Sequence, residues 1–396
     1  MGTLAVRLTD SGESRLRRNH PWIFDKQIEK IKPLGRVGDL CVIFSKGKNK
    51  VMGIGLYDPD SPIRIKMIHH NGPAAIDCEF FRTKIDKAFK IRQELLEGDT
   101  NGYRLIFGEN DGFPGLIADV YAHVLVVKLY SAIWQRWLKQ IIEHITALTK
   151  VKSVIMRLSR KMISAQIPGW TDGQVIYGTI EEEIVQFREH GVLFWVNPIR
   201  GHKTGFFLDH RHNRKRVGEL SKGKNVLDVF TYSGGFSVHA LAGGAKTVSS
   251  IDISSHALEQ ATTNAELNNY QGQHKTICGN AFEVLQDLIA ANKTYDLVII
   301  DPPSFAKQAS EVKLALKKYR QLARMGATLT SNRGILVVAS CSSRVSSEAF
   351  FKSIAEELDK SERAFKLLEQ TTHDLDHPIG FPEGAYLKCG FYRAVQ

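Results

Sequence analysis

The chain predicts an α/β protein with a doubly wound parallel sheet in its C-terminal half, preceded by an α+β middle region and a small β-barrel-like module. Three observations carry this. From Asn225 onward, short apolar runs at 226–230, 248–252, 275–278, 297–301 and 335–340 alternate with helical stretches. Runs that are apolar on both faces are what a sheet covered on both sides requires. Upstream, residues 78–97 place Phe81, Ile85, Ala88, Phe89, Leu95 and Leu96 at helical spacing. Strand patterns follow at 104–108, 116–120 and 123–129, then a helix at about 131–149 and short strands to about 197. Residues 1–72 hold strand patterns at 4–8, 40–45, 50–57 and 63–69, separated by Gly, Pro and Asp. They close on the turn signal His70-Asn71-Gly72-Pro73. The expected domains are 1–72, 73–190 and 191–396.

Composition narrows the class. The 396 residues are 43% hydrophobic, which excludes a disordered or collagen-like chain. No run of 18 apolar residues is present, so no membrane partner is expected, and the first twenty residues lack the apolar core of a secretory leader. The cysteines (Cys41, Cys78, Cys278, Cys341 and Cys389) are odd in number and scattered, which predicts neither a disulfide framework nor a zinc site and fits a reducing cytoplasm. The net charge is +11, and residues 1–70 hold 13 Lys/Arg against 7 Asp/Glu, a net +6. Charge concentrated in a small module reads as a nucleic-acid surface, with Arg15, Arg17, Arg18 and Arg36 as candidate phosphate contacts.

The sharpest motif is NVLDVFTYSGGFSVHA at 225–240. A buried strand carries Asp228 near its carboxyl end, then Thr231, Tyr232 and the pair Gly234-Gly235 turn into a helix. Glycines admit close backbone approach, and a helix start presents partial positive charge. There is no GxGxxG and no phosphate-binding Lys, so a ligand with an amino-acid end and a nucleoside end fits better than a diphosphate. Asp252, 24 residues after Asp228, ends the next strand, where a carboxylate can accept ribose hydroxyls. Ser254 or Ser255 caps the following helix, whose buried stripe is Leu258, Ala261 and Ala265. Asn280 then Phe282 can read an adenine edge and pack on its ring. The plainer alternative makes Asp228 and Asp252 turn caps only.

Asp301-Pro302-Pro303-Ser304 follows the fourth of these strands. Two prolines force a rigid extended exit and remove two donors, leaving carbonyls and the Asp301 carboxylate at the ligand-binding edge. Ser340-Cys341-Ser342-Ser343 follows the fifth strand, which sets Cys341 one strand from Asp301, a placement the other cysteines lack. Cys341 is either a nucleophile or buried filler. The segment 201–211, GHKTGFFLDHR, offers Phe206 and Phe207 either to a base or to the core.

Together RRNHPWIF (17–24), RLIFGENDGFPGLIADVY (104–121), HKTGFFLDHR (202–211), NVLDVFTYSGGFS (225–237), SSIDIS (249–254), YDLVIIDPPSFAK (295–307), SCSS (340–343) and FPEGAYLKCGFYR (381–393) resemble the bacterial large-subunit ribosomal RNA methyltransferase I group. The resemblance spans nearly the whole chain. It implies an N-terminal PUA RNA-binding domain, a Rossmann-like methyltransferase domain and S-adenosyl-L-methionine as cofactor, held by Asp228, the turn with Thr231, Tyr232 and Gly234, Asp252, Asn280 and Asp301. It implies methylation of carbon 5 of a cytosine, with Cys341 adding to carbon 6 and Asp301 as its partner. Large-subunit ribosomal RNA is the implied partner, with a homodimer left open. The sequence departs from the group's pattern at Asn280 and Asn197, where Asp is commoner, and at His202 and His210, where Gln is. It also lacks the second cysteine that related enzymes carry at the place of Pro303. Two other readings stand beside this one: an exocyclic-amine methyltransferase using Asp301-Pro-Pro-Ser, and a non-catalytic RNA-binding assembly factor.

Overall fold

The computed structural model describes residues 2–395. Their contacts divide into two compact units. The first holds 2–188, Trp195–Leu208 and Leu375–Pro382; the second holds Glu189–Phe194, Asp209–Asp374 and 383–395.

The first unit is built on two sheets. A six-stranded sheet runs in the order Trp22–Ile23, Ile65–His70, Val51–Tyr57, Leu40–Phe44, Thr3–Leu8, Ile28–Lys32, with one parallel pair, Thr3–Leu8 against Leu40–Phe44. Alternating burial along Thr3–Leu8 turns Leu4, Val6 and Leu8 into one core with Ile23, Cys41, Ile43 and Ile65. Because that core takes residues from across the strand order, the module is barrel-like. Beside the short strand Trp22–Ile23 and the 3₁₀ turn Asp25–Gln27, two longer pieces of it were not legible. Helix Asp10–Arg17 buries only Gly12 and Leu16, so it has no apolar stripe to betray it; Thr9 starts it by accepting the Gly12 N–H. Strand Ile28–Lys32 is half-exposed at the sheet edge and rich in charge.

The second sheet has the order Gln174–Tyr177, Ser153–Leu158, Val124–Leu129, Leu116–Tyr121, Gly102–Phe107. Helix Cys78–Glu97 packs Phe81, Ile85, Ala88 and Leu95 toward it, started by the Asp77 carboxylate accepting the Phe80 N–H. The helix expected at 131–149 is two pieces: a 3₁₀ turn Ala132–Trp134 and an α-helix Leu138–Thr149. The break follows the Trp134 indole, which donates to the Pro114 carbonyl at 2.8 Å and so is fixed before the helix begins. Ile54, Leu56 and Ile68 of the N-terminal sheet share the core of Phe81 and Ile85, so residue 72 lies inside the first unit. Buried ion pairs tie this unit together. The fully buried Arg92 grips Asp111 through two bonds of 3.0 and 2.7 Å and donates to the carbonyls of Ala88, Arg104 and Asp376.

The second unit carries a seven-stranded sheet ordered Gln273–Cys278, Thr247–Asp252, Asn225–Val229, Tyr295–Ile300, Thr330–Ser340, Lys388–Ala394, Phe365–Thr371. The first five are parallel and are the five strands the sequence predicts. The last two are joined on by antiparallel pairings, with Lys388–Ala394 alone running against the rest, and were missed. Strand order reverses at Asn225–Val229, flanked by Thr247–Asp252 and Tyr295–Ile300, which is where open α/β sheets bind ligands. No helix among the described residues is long and apolar enough to cross a membrane.

Arg92→Ala should leave Asp111 without its cation and three carbonyls without the guanidinium donors. We expect a loss of about 3–5 kcal/mol, the cost of breaking a buried pair, read by urea unfolding monitored at the tryptophans of the first unit. An unchanged midpoint would contradict this account.

Candidate active site at the carboxyl edge of the parallel sheet

Asp228 sits one residue before the end of the central strand and is 1% exposed. Its Oδ2 accepts three bonds: from the Thr231 hydroxyl at 2.6 Å, the Ser237 hydroxyl at 2.6 Å and the Ser237 N–H at 3.1 Å. Its Oδ1 is buried with no partner among the described residues. Burial pushes the carboxyl up to about 6 against the pull of those donors. The loop it anchors is bent tightly. Phe230 and Tyr232 have φ of 67° and 50°, and Gly234 has φ of 82°. Two donors to the Ile251 carbonyl, from Phe230 N and Thr231 N, pin the loop to the neighbouring strand. A Cβ at Gly234 would meet the Ala261 Cβ at 2.8 Å, so glycine is needed there for packing as well as for φ.

Asp252 closes the next strand. Its Oδ2 accepts the Tyr232 N–H and its Oδ1 the Ser254 N–H, each at 2.9 Å. A carboxylate has about four acceptor sites, so both oxygens retain capacity toward a ligand. Ser254 is the helix cap, accepting Ala257 N–H, and Leu258, Ala261 and Ala265 are buried as expected. Asn280 caps helix Ala281–Ala290 by accepting the Phe282 N–H at 2.9 Å, and its side chain is exposed. Thr231, Tyr232, Gly234, Asp252 and Asn280 thus line consecutive strand ends. Asp228 lies beneath them as the post of the turn.

Asp301 follows the fourth strand, its N–H reaching toward the Val229 carbonyl at 3.4 Å. Its Oδ1 lies 3.4 Å from Nε2 of the buried His210, an ion-pair separation whose angle falls short of a hydrogen bond. Burial alone would lower the His210 pKa, but the Asp301 charge prevails and raises it. Asn213 Nδ2 lies 3.0 Å from His210 Nδ1 as a donor to the neutral ring, whose proton then sits on Nε2.

Cys341 is half-buried, and its Sγ lies 3.9 Å from the Pro302 carbonyl, so sulfur and Asp301 occupy neighbouring strand ends. The other cysteines differ. Cys389 is fully buried opposite Ala339, with its thiol pushed far up by burial. Cys278 also ends a strand, as the sequence predicts, but on the outer edge opposite Asp252. Sequence reasoning missed Lys388. It opens the sixth strand in the sheet order, opposite Ser340, and is 2% exposed. Its Nζ donates to the carbonyls of Ser342 and Tyr386. Burial lowers it to about 8, with the neighbouring Cys341 acting the other way.

The remaining expectations fall elsewhere. Phe206 is core, edge-on to Phe187, while Phe207 lies half-buried under the exposed Lys203, whose Nζ is 4.2 Å from the ring centre. Asn197 builds a turn by accepting Ile199 N–H and Arg200 N–H. Arg15, Arg17 and Arg18 share the helix Asp10–Arg17 and its cap, whereas Arg36 is on a separate connection. Arg15 packs over the Phe24 ring and Arg17 pairs with Glu13, leaving Arg18 and Arg36 the more available.

The donor set fits S-adenosylmethionine: an unpartnered buried carboxylate oxygen under a glycine turn, an acceptor at the second strand end, and a polar cap at the third. Folded-state pKa above the ordinary aspartate value of 3.8 means that Asp228 costs stability as pH rises from about 4 to about 6. Asp228→Asn should remove about 3 kcal/mol of that decline, seen as the difference between variant and wild-type unfolding curves across this window. Parallel curves would show the carboxyl to be ionised throughout.

Residues 103–384 match the family model described as S-adenosylmethionine-dependent methyltransferase, and residues 6–70 match a PUA-like domain. A protein of Deinococcus radiodurans named ribosomal RNA large subunit methyltransferase is 41% identical over 395 residues, covering 98% of this chain and 97% of its own. Ribosomal RNA large subunit methyltransferase I of Alteromonas mediterranea is 32% identical over 391 residues, covering 97% of each. The solved structure of SMU.776, complexed with SAH, superposes with a TM-score of 0.81 at 20% identity over 99% of this chain and 100% of that one, a likeness of fold. The chain therefore belongs to the family of S-adenosylmethionine-dependent methyltransferases that includes the proteins named ribosomal RNA large subunit methyltransferase I.

Proposed function

We propose that this protein methylates carbon 5 of a cytosine in large-subunit ribosomal RNA through a transient bond to Cys341. The supporting observation is the sulfur of Cys341 at the strand end beside Asp301, with a buried ammonium, Lys388, next to it. Family membership supplies the methyl-transfer chemistry, and the names of the relatives support the RNA substrate. The catalytic residues proposed are Cys341 and Asp301. Asp228 with Thr231, Tyr232 and Gly234, then Asp252 and Asn280, would hold the cofactor. We take 1–72 as the RNA-binding module, with Arg15, Arg17, Arg18 and Arg36 contributing, 73–190 as the middle domain and 191–396 as the methyltransferase domain.

Bound S-adenosylmethionine supplies an electrophilic methyl group. Carbon 5 of cytosine is too weak a nucleophile to take it unaided. Attack of the Cys341 thiolate on carbon 6 forms a C–S bond and moves the ring electrons toward carbon 5. Asp301, as the acid, gives a proton to ring nitrogen 3 as the C–S bond forms and takes it back when that bond breaks. Carbon 5 takes the methyl group, leaving S-adenosylhomocysteine; the carbon-5 proton then passes to water, the double bond re-forms and the thiolate is expelled. Lys388 favours the sulfur anion by charge. It is a positioning residue, since its Nζ is committed to two carbonyls.

Cys341→Ala should abolish 5-methylcytidine, read by mass spectrometry of modified ribosomal RNA, while binding of S-adenosylmethionine by calorimetry persists. Retained activity would favour direct transfer to an exocyclic amine, and absence of cofactor binding in the wild type would favour a non-catalytic factor. Lys388→Met should move the acid limb of the pH–rate profile up by about 1–3 units, with Lys388→Arg restoring it in part. An unmoved limb would leave Lys388 a packing residue.

A further inference from the structure

A second concave site lies wholly within the first unit. It is a cavity of about 350 Å³ between strand Ile65–His70, helix Cys78–Glu97 and the connections at 108–112 and 378–381. That volume is at the small end of ligand sites. His69, His70, Lys84 and Lys87 line it from two elements, and Asn110 and Phe381 are also in the lining.

The charge balance is lopsided. The two carboxylates of the lining are already engaged: Glu109 accepts the Trp22 indole N–H at 2.9 Å, and Asp111 holds Arg92 and the Phe107 N–H. Among the described residues neither Lys84 nor Lys87 pairs with a carboxylate, and Lys84 Nζ lies 5.1 Å from the centre of the Phe80 ring. Lys84 lies near Lys87, which repels it, and Asp111 is the one carboxylate acting on it in return. His70 has a buried Nδ1 with no hydrogen-bond partner among the described residues. Burial, then Lys84, His69 and His20, hold its imidazole down to about 4. His69 is lowered by burial and by Lys84 as well. Asn110 uses its amide oxygen on the Gly380 N–H at 2.7 Å, which leaves its NH₂ to donate. A site of unpaired donors and mutually repelling cations calls for an anion with several acceptor oxygens.

We propose that this cavity binds a phosphate group of the RNA substrate, with Lys84 and Lys87 supplying charge and the His69, His70 and Asn110 side chains supplying donors. The proposal rests on the RNA reading above and adds a binding site to it. A phosphodiester oxygen pair would relieve the repulsion and satisfy His70 at once. Free phosphate offers the same oxygens, so the test must separate the two.

The full-length protein is titrated with protein-free large-subunit ribosomal RNA at several salt concentrations. Lys84→Glu with Lys87→Glu should weaken binding about tenfold or more and lower the salt slope by roughly 0.7–2, the loss of one or two phosphate contacts. Lys84→Arg with Lys87→Arg should retain both. Lys139→Glu with Lys152→Glu, the same charge change at exposed positions on other elements, should leave the slope nearly intact. Unchanged cofactor binding and unfolding midpoint verify that the charge-reversed variant is folded. In NMR titrations the His70 imidazole should move to higher pKa on adding RNA. If the slope is unchanged in the charge-reversed variant while wild type binds RNA, the site is wrong and the function reading survives. If the control pair lowers the slope as much, or if inorganic phosphate moves His70 and RNA does not, the proposal is overturned. If wild type binds no ribosomal RNA, both readings fall together.

Discussion

The carboxylate of Asp228 is the constraint on which the second unit turns. It lies out of reach of water, and one oxygen collects three donors from the loop and helix that follow it. Backbone at positive φ for two non-glycine residues costs of order 1–3 kcal/mol each. The loop keeps that geometry because Asp228 holds it from below, the Ile251 carbonyl holds it from the side and Asp252 holds it at Tyr232. The Ser237 hydroxyl continues the network to Ser250 at 2.6 Å and on to His274 at 2.8 Å, so the post is braced across two further strands. A turn fixed in this way would need little ordering on holding a ligand, which is the thermodynamic value of preorganisation.

A second buried carboxylate braces the same turn from the helix side. Glu189 is fully buried, and burial would raise its pKa, yet it is held well below the carboxylate range by Arg214, which donates at 2.6 Å to each oxygen, and by His239. The Arg214 side chain then runs past Gly235, where a Cβ would meet its Cδ at 2.9 Å. Gly235 is thus small because an arginine stem passes over it. Removing either member of such a pair leaves a bare charge in a dry interior, so the arrangement specifies one geometry more than it adds net stability.

How much of this could be read beforehand followed the physics of each piece. The five parallel strands were legible because burial on both faces makes them continuously apolar. Asp228, Asp252, Asp301 and Cys341 were legible because each follows such a run, and parallel strands gather their carboxyl ends at one edge. The turn residues were legible as types, but not the division of labour among them: nothing in the order of letters says that Asp228 is sealed under the loop while Asp252 meets solvent. Asp10–Arg17 escaped because it buries one glycine and one leucine. Lys388 escaped because Lys-Cys-Gly-Phe-Tyr-Arg-Ala mixes charge, glycine and aromatics, and only the register against Thr330–Ser340 reveals a core strand. His210 was noticed as a departure from a family pattern, yet its contact with Asp301 depends on how the helix Arg211–Leu220 enters the second unit.

The strand that escaped also explains how the edge acquires its cation. In a purely parallel sheet, every residue delivered to the ligand edge comes from a strand's C-terminal end. Here an antiparallel strand is inserted after the fifth, and its first residue reaches that edge instead. Lys388 pairs with Ser340 in register, one residue before Cys341, and its Nζ is captured by carbonyls from both approaches, Ser342 and Tyr386. Tyr386 is in turn fixed by its hydroxyl on Asp209 at 2.9 Å and by the His373 ring set edge-on at 4.6 Å. The ammonium is therefore placed by topology and clamped by two carbonyls that carry no charge to cancel it. Its field is left to act on the sulfur of Cys341.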